Sequence, residues 1–193
     1  MARQSSDKIP LPILRNYDSV NTLVEEGKVF GVTNVTIGTG IAGQTGTTYT
    51  SVSPTFTFRN VGSKVMVPLI CKLYQTGTVA DIRVNVHVAT LETGQFTSGT
   101  ALTAYNRNQW SSNAATVLPY HTATLPQDST GNRKLRYTAA LFQTVTAANA
   151  DVDGFPDPGF TMVRPGGQLD IYTLGSTSAP TWFFDIQWAE LEY

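Results

Sequence analysis

The amino-acid sequence predicts an all-β domain, an antiparallel sandwich or barrel. Three observations carry that prediction. Apolar residues recur at every second position in several runs, the period of a half-buried strand. Clusters of Gly, Pro, Asn and Ser separate the runs. No helical pattern of about 10 to 15 residues alternates with them, as a parallel α/β sheet requires. At 193 residues with a single cysteine, Cys71, the chain is long enough to bury a core without a disulfide framework. No internal repeat and no long linker divides it. The expected organisation is a segment 1–27, an arm with a short helix, followed by one β domain over 28–193.

In chain order, residues 1–17 read as an extended arm. Pro10 and Pro12 push Ile9 and Leu11 toward extended backbone. Ile9, Leu11, Ile13 and Leu14 make the arm apolar, and it is too short to build its own core. Such a segment calls for a partner surface, and these four residues are candidate interface residues. "DSVNTLVEEGK" predicts a short helix capped by Asp18 or Ser19, with Val20, Leu23 and Val24 on one face and Gly27 ending it. "PTFTFRN" places Phe56 and Phe58 on one face of a strand. "VMVPLICKLY" predicts a strand with Val65, Val67, Leu69, Cys71 and Leu73 on one face, and an edge or bulge at Pro68. "VADIRVNVHVATL" sets Ala80, Ile82, Val84, Val86 and Val88 against Asp81, Arg83, Asn85 and His87, the clearest half-buried strand of the chain. "GGQLDIYTLG" pairs Leu169 with Ile171. "TWFFDIQWAELEY" aligns Trp182, Phe184, Ile186 and Trp188.

Charged residues make up 14% of the chain against a usual share of about 25%, and the formal net charge is −1. The basic stripe expected of a nucleic-acid binder is missing. No apolar run approaches the roughly 20 residues that span a bilayer, and the opening residues read as neither signal peptide nor membrane anchor.

The motifs that suggest chemistry are incomplete. Gly38, Gly40 and Gly43 have dinucleotide-loop spacing, but "QTGTTYTSVSP" follows where a helix N-terminus is needed. Asp151, Asp153 and Asp157 would suit Ca²⁺, although the loop lacks a closing Glu, and Asp, Gly and Pro also make turns for their own reasons. His87 sits on the polar face of its strand, expected to be solvated or to face a partner. Cys71 falls on an apolar face, where a thiol is inert. Two histidines and one cysteine give neither a nucleophilic triad nor a transition-metal set.

The remaining candidate is "GTALTAYNRNQWSSNAATV", residues 99–117, whose one formal charge is Arg107. Tyr105 and Trp110 flank a polar run. Three readings fit: aromatics folded back onto the domain, a protein interface anchored by Tyr105, Arg107 and Trp110, or a sugar platform.

"TSGTALTAYNRNQWSSNAATV", following a strand that ends "VHVATLETG", resembles a segment of small structural proteins of tailed bacteriophages. The closing "VRPGGQLDIYTLGSTSAPTWFFDIQWAELEY" resembles the last strands of a viral jelly roll. Together they cover about a third of the chain. The resemblance implies a jelly-roll-like β-sandwich with an N-terminal arm. It implies a non-enzymatic, cofactor-free head-decoration (cement) protein on the capsid surface of a virion. Its partners would be the major capsid protein and further copies of itself, as a homo-oligomer of three, with neither nucleic acid nor membrane bound. The alternative is a receptor- or glycan-binding domain of a tail fibre or spike. A hydrolase on the same scaffold comes third. No site motif is carried over.

Overall fold

Thirteen strands and one helix make up the described part of the chain. The computed structural model describes residues 17–34, 39–46, 48–76, 83–127, 133–142, 151–153, 162–175 and 178–192. The helix α1 (Tyr17–Glu25) precedes β1 (Val29–Thr33), β2 (Ile41–Ala42), β3 (Gln44–Thr45), β4 (Phe56–Asn60), β5 (Val65–Thr76) and β6 (Arg83–Leu91). Then come β7 (Ser98–Ala101), β8 (Tyr105–Asn106), β9 (Val117–Thr124), β10 (Arg133–Phe142), β11 (Asp151–Asp153), β12 (Gln168–Gly175) and β13 (Thr181–Leu191).

The strands form two sheets. One has the order β11-β5-β13-β1-β8, with β2 also on β13; the other has the order β10-β6-β12-β4-β9-β7, with β3 also on β12. Every described pairing is antiparallel except β3 with β12. The all-β prediction therefore holds, with two mostly antiparallel sheets enclosing one core.

That core is the sum of the alternating apolar faces. Phe30, Val32, Trp182, Phe184, Ile186 and Trp188 from the first sheet meet Phe56, Phe58, Val86, Val88, Leu169 and Ile171 from the second. Phe56 packs on Phe184 at 4.8 Å between ring centroids, and Phe58 meets Trp188 edge-on at 5.6 Å. The face assignments of β4, β12 and β13 are as the sequence pattern predicts. So are those of Val86 and Val88; Ala80 and Ile82 lie outside the described residues.

Strand β5 differs from its pattern. Its register against β13 slips between Gln187 and Trp188, which pair with Ile70 and Pro68 and leave Leu69 as an extra residue. The bulge expected at Pro68 is present, but the strand is interior, between β11 and β13. One extra residue inverts the side-chain parity. Cys71 and Leu73 face the core as predicted, whereas Met66 replaces Val65 and Val67 there. Val67 and Leu69 turn to the outer face, where they pack with Leu23 and Val24 of α1 and with Val29, Ala189 and Leu191. The helix is thus held by the outer face of the first sheet. It already includes Tyr17, ahead of the predicted cap at Asp18 or Ser19, and ends as predicted at Gly27, whose φ is +66°. Gly27 N–H bonds to Val24 O and Lys28 N–H to Leu23 O, both at 2.9 Å, the paired bonds of a Schellman motif.

The segment after β1 explains the glycine-rich run. β2 joins the first sheet and β3 the second, so the chain crosses between sheets at Gly43. A Cβ there would run into Thr173. Gly43 is a packed crossing point, and strand follows where the dinucleotide reading needs a helix; Gly38 lies outside the described residues. The next stretch lies over the outer face of the second sheet. The Gln44 side chain bonds Thr50 N, Thr50 O and Ser53 O. Tyr49 packs on His87 and Tyr172 with ring centroids 5.0 and 4.7 Å apart. His87 faces a tyrosine from its own chain, where open solvent or a partner was expected. Asp170, fully buried on this face, accepts bonds from Thr57 Oγ1 at 2.9 Å and Gln168 Nε2 at 2.8 Å.

Candidate functional site

The stretch between β8 and β9 is built onto the end of the helix. β8 pairs with Phe30 and Gly31 of β1. The Tyr105 ring lies across Gly31, so close that a Cβ on residue 31 would sit 3.0 Å from it. Gly31 is where a side chain would displace this aromatic. Arg107 N–H then donates to Val29 O at 2.9 Å.

Beyond that point the asparagines take over. A helix C-terminus leaves carbonyls without partners. Asn108 Nδ2 donates to Glu25 O at 2.9 Å, Asn106 Nδ2 to Gly27 O at 2.9 Å, and Asn113 Nδ2 to Gly27 O at 3.2 Å. The same amides also fold the loop on itself. Asn106 Oδ1 accepts from Asn108 N at 2.8 Å, Asn108 Oδ1 from Trp110 N at 3.0 Å, and Asn106 Nδ2 donates to Asn113 O at 3.1 Å. Gly27 accepts the close approach of Ser111, into which any Cβ there would run.

The far end of the loop is fixed by Glu190 of β13, only 3% exposed. Its carboxylate accepts from Thr116 N, Thr116 Oγ1 and Val117 N at 2.6 to 3.0 Å, and from the Trp188 indole at 3.1 Å. A buried carboxylate needs such donors, and here they come from the loop backbone and a core tryptophan.

The outcome for the predicted site residues is mixed. Tyr105 is half-buried against β1. Arg107 is exposed. Trp110 is 97% exposed, an indole held out on a backbone bonded on both sides. The stretch therefore does not fold its aromatics back as a set: Tyr105 does so and Trp110 does not. Ile9, Leu11, Ile13 and Leu14 lie outside the described residues. Asp151 and Asp153 belong to strand β11, paired with Tyr74 and Lys72 of β5, and Asp157 lies outside the described residues. Cys71 is buried in the core, and burial, with the Asp185 charge as a lesser cause, pushes its thiol up to about 12. Burial lowers the His121 pKa below its ordinary value; its Nδ1 lies 3.0 Å from Thr122 Oγ1.

Glu190, Ser111 and Asn113 were not singled out by sequence reasoning. Asn and Ser are the residues that cap backbone groups. Ser111 Oγ accepts locally from Asn113 N, but the Asn113 amide and the Glu190 carboxylate find partners more than 70 residues away along the chain, and only the fold brings them together. No protein-family model matches the chain, and comparisons with curated proteins and with solved structures find no match.

Proposed function

We propose that this protein is a structural component of a virion, a jelly-roll β-sandwich that decorates a phage head and acts by binding the major capsid protein and further copies of itself. The nested strand pairing supports the jelly roll. Eight strands pair as β1 with β13, β4 with β12, β5 with β11 and β6 with β10, the order of one long hairpin rolled into two sheets. The single observation that carries the binding role is Trp110. A bare indole on a braced loop, beside an exposed Arg107, has the composition and rigidity of an interface anchor. A glycan platform needs free amides near its aromatics. Here the Asn106, Asn108 and Asn113 amides hold the helix end, and Tyr105 lies on Gly31.

The test is co-sedimentation with empty heads assembled from the partner capsid protein. The wild-type chain pellets with heads in many copies, and Trp110→Ala loses most of that binding while its melting temperature is unchanged. Full head binding by the variant overturns the role of the loop in head binding. Binding to a glycan array in place of heads, abolished by the same variant, selects the tail-fibre alternative.

A further inference from the structure

We infer that Trp110 anchors a contact between two copies of this chain related by a two-fold axis, with Arg107 of each copy meeting Glu25 of the other. The inference rests on the reading of this loop as a contact surface and names its occupant.

The Trp110 loop lies at one end of the two sheets. There β1 and β5 begin, β4 and β13 finish, and β9 and β12 begin, as the pairs Val29–Ala189, Val65–Leu191, Asn60–Val117 and Arg59–Gln168 fix. The Asn60 amide ties the β4–β5 turn to the segment before β12 through Lys64 O and Val163 O. Val61 and Met162, 54% and 63% exposed, belong to the same end. Three large apolar side chains are therefore displayed on one end of the molecule.

The charges there decide the occupant. Glu26 pairs with Lys28 at 2.9 Å, Glu192 with Lys64 at 3.3 Å and Glu92 with Arg164 at 3.9 Å. On the described residues of the Trp110 loop and the helix end it holds, the exposed charges without an ion pair are Arg107 and Glu25, one of each sign. Glu25 occupies the last turn of α1, where the helix dipole opposes an anion, and that turn holds no basic residue. Arg107 adjoins Asn108, whose amide holds the Glu25 carbonyl, yet no ion pair joins Arg107 to Glu25 within one chain. A patch with one apolar anchor and one uncompensated charge of each sign is complementary to itself. A two-fold axis turns such a patch onto its own copy and matches plus with minus twice. A basic or acidic partner would satisfy one charge and repel the other.

Sedimentation velocity on the full chain tests this. The wild type is expected to sediment as a dimer at micromolar concentration. Trp110→Ala weakens dimerisation by at least about 30-fold. Arg107→Glu and Glu25→Arg each shift the chain toward monomer, and the double reversal R107E/E25R restores the dimer. All variants should melt with the wild type, since the three side chains are exposed. A wild-type monomer, a trimer, a dimer indifferent to Trp110→Ala, or a double reversal that stays monomeric overturns the inference. Head co-sedimentation of the same variants separates the two readings. A monomer that binds heads through Trp110 overturns the dimer and leaves the decoration role. A Trp110-dependent dimer that ignores heads upholds the dimer and removes the capsid as partner.

Discussion

Glu190 holds both sheets and the loop with one carboxylate. Its donors are the Thr116 and Val117 amides, the Thr116 hydroxyl and the Trp188 indole. Glu190→Ala strands these donors, two of them backbone, in a partly to fully buried site. The expected loss is about 3 kcal/mol or more, because each buried unsatisfied group costs about 1 to 3 kcal/mol. Glu190→Gln keeps one acceptor oxygen and should lose less, and urea unfolding of the two variants gives the comparison. Cys71 makes a second residue-scale case. With its thiol pushed up to about 12, the native protein should resist a thiol reagent at pH 8 and react once unfolded. The same shift has a sign in stability. The folded state holds the Cys71 proton more tightly than the unfolded chain, so the contribution is complete below the ordinary value of 9.0 and is lost as pH rises from there toward 12. Cys71→Ala should flatten that alkaline fall in a melting series.

At the scale of the element, the junction of α1 with the Asn-rich loop makes the sharper prediction. Gly27 carries a φ of +66° and leaves room for Ser111. Gly27→Ala meets backbone strain and a collision at once. It should cost roughly 1 to 3 kcal/mol or more, read as a lowered urea midpoint, whereas Gly166→Ala, with a φ of +76° and open space, should show the strain alone. This junction also shows what a sequence pattern reveals. Gly27 as the helix stop was legible, because a helix end needs a left-handed residue and glycine supplies it. The aromatic alternation of β13 was legible, because its core face repeats every second residue without interruption. The inward set of β5 was legible only from Cys71 onward. Pro68 announced an irregularity, but nothing local says that one residue is inserted there, and one residue inverts the parity. In the candidate site, the exposure of Trp110 and the fold-back of Tyr105 were both among the readings available, and five residues apart they take opposite outcomes. Period counting cannot separate them, since Tyr105 is decided by a glycine on β1 and Trp110 by an amide on Asn108.

Across the whole molecule, the strands that are far apart in sequence are neighbours in space. The first described strand, β1, lies against the last, β13, which is also the partner of β5. Among the described residues, the core clusters run from Leu23 onward. With residues 1–17 an arm for a partner surface, as the sequence predicts, a chain beginning at Tyr17 should fold with a melting temperature close to that of the full chain, measured by circular dichroism. If the apolar arm docks on a partner, the same truncation should weaken head binding; unfolding instead would assign the arm to the core. The position of β13 has a further consequence for synthesis. A chain leaving the ribosome exposes β1 and β5 with their shared edges unfilled until residues 181–191 emerge. At about 5 to 20 residues per second, that interval is roughly 10 to 30 s. During it, the half-built first sheet is a template for any other strand, including one from a neighbouring nascent chain. The few charges of this sequence offer little repulsion against such pairing. Crowded polysomes should therefore be where the protein is lost, and slower initiation or a holding chaperone should raise the soluble yield more than any change to the finished surface.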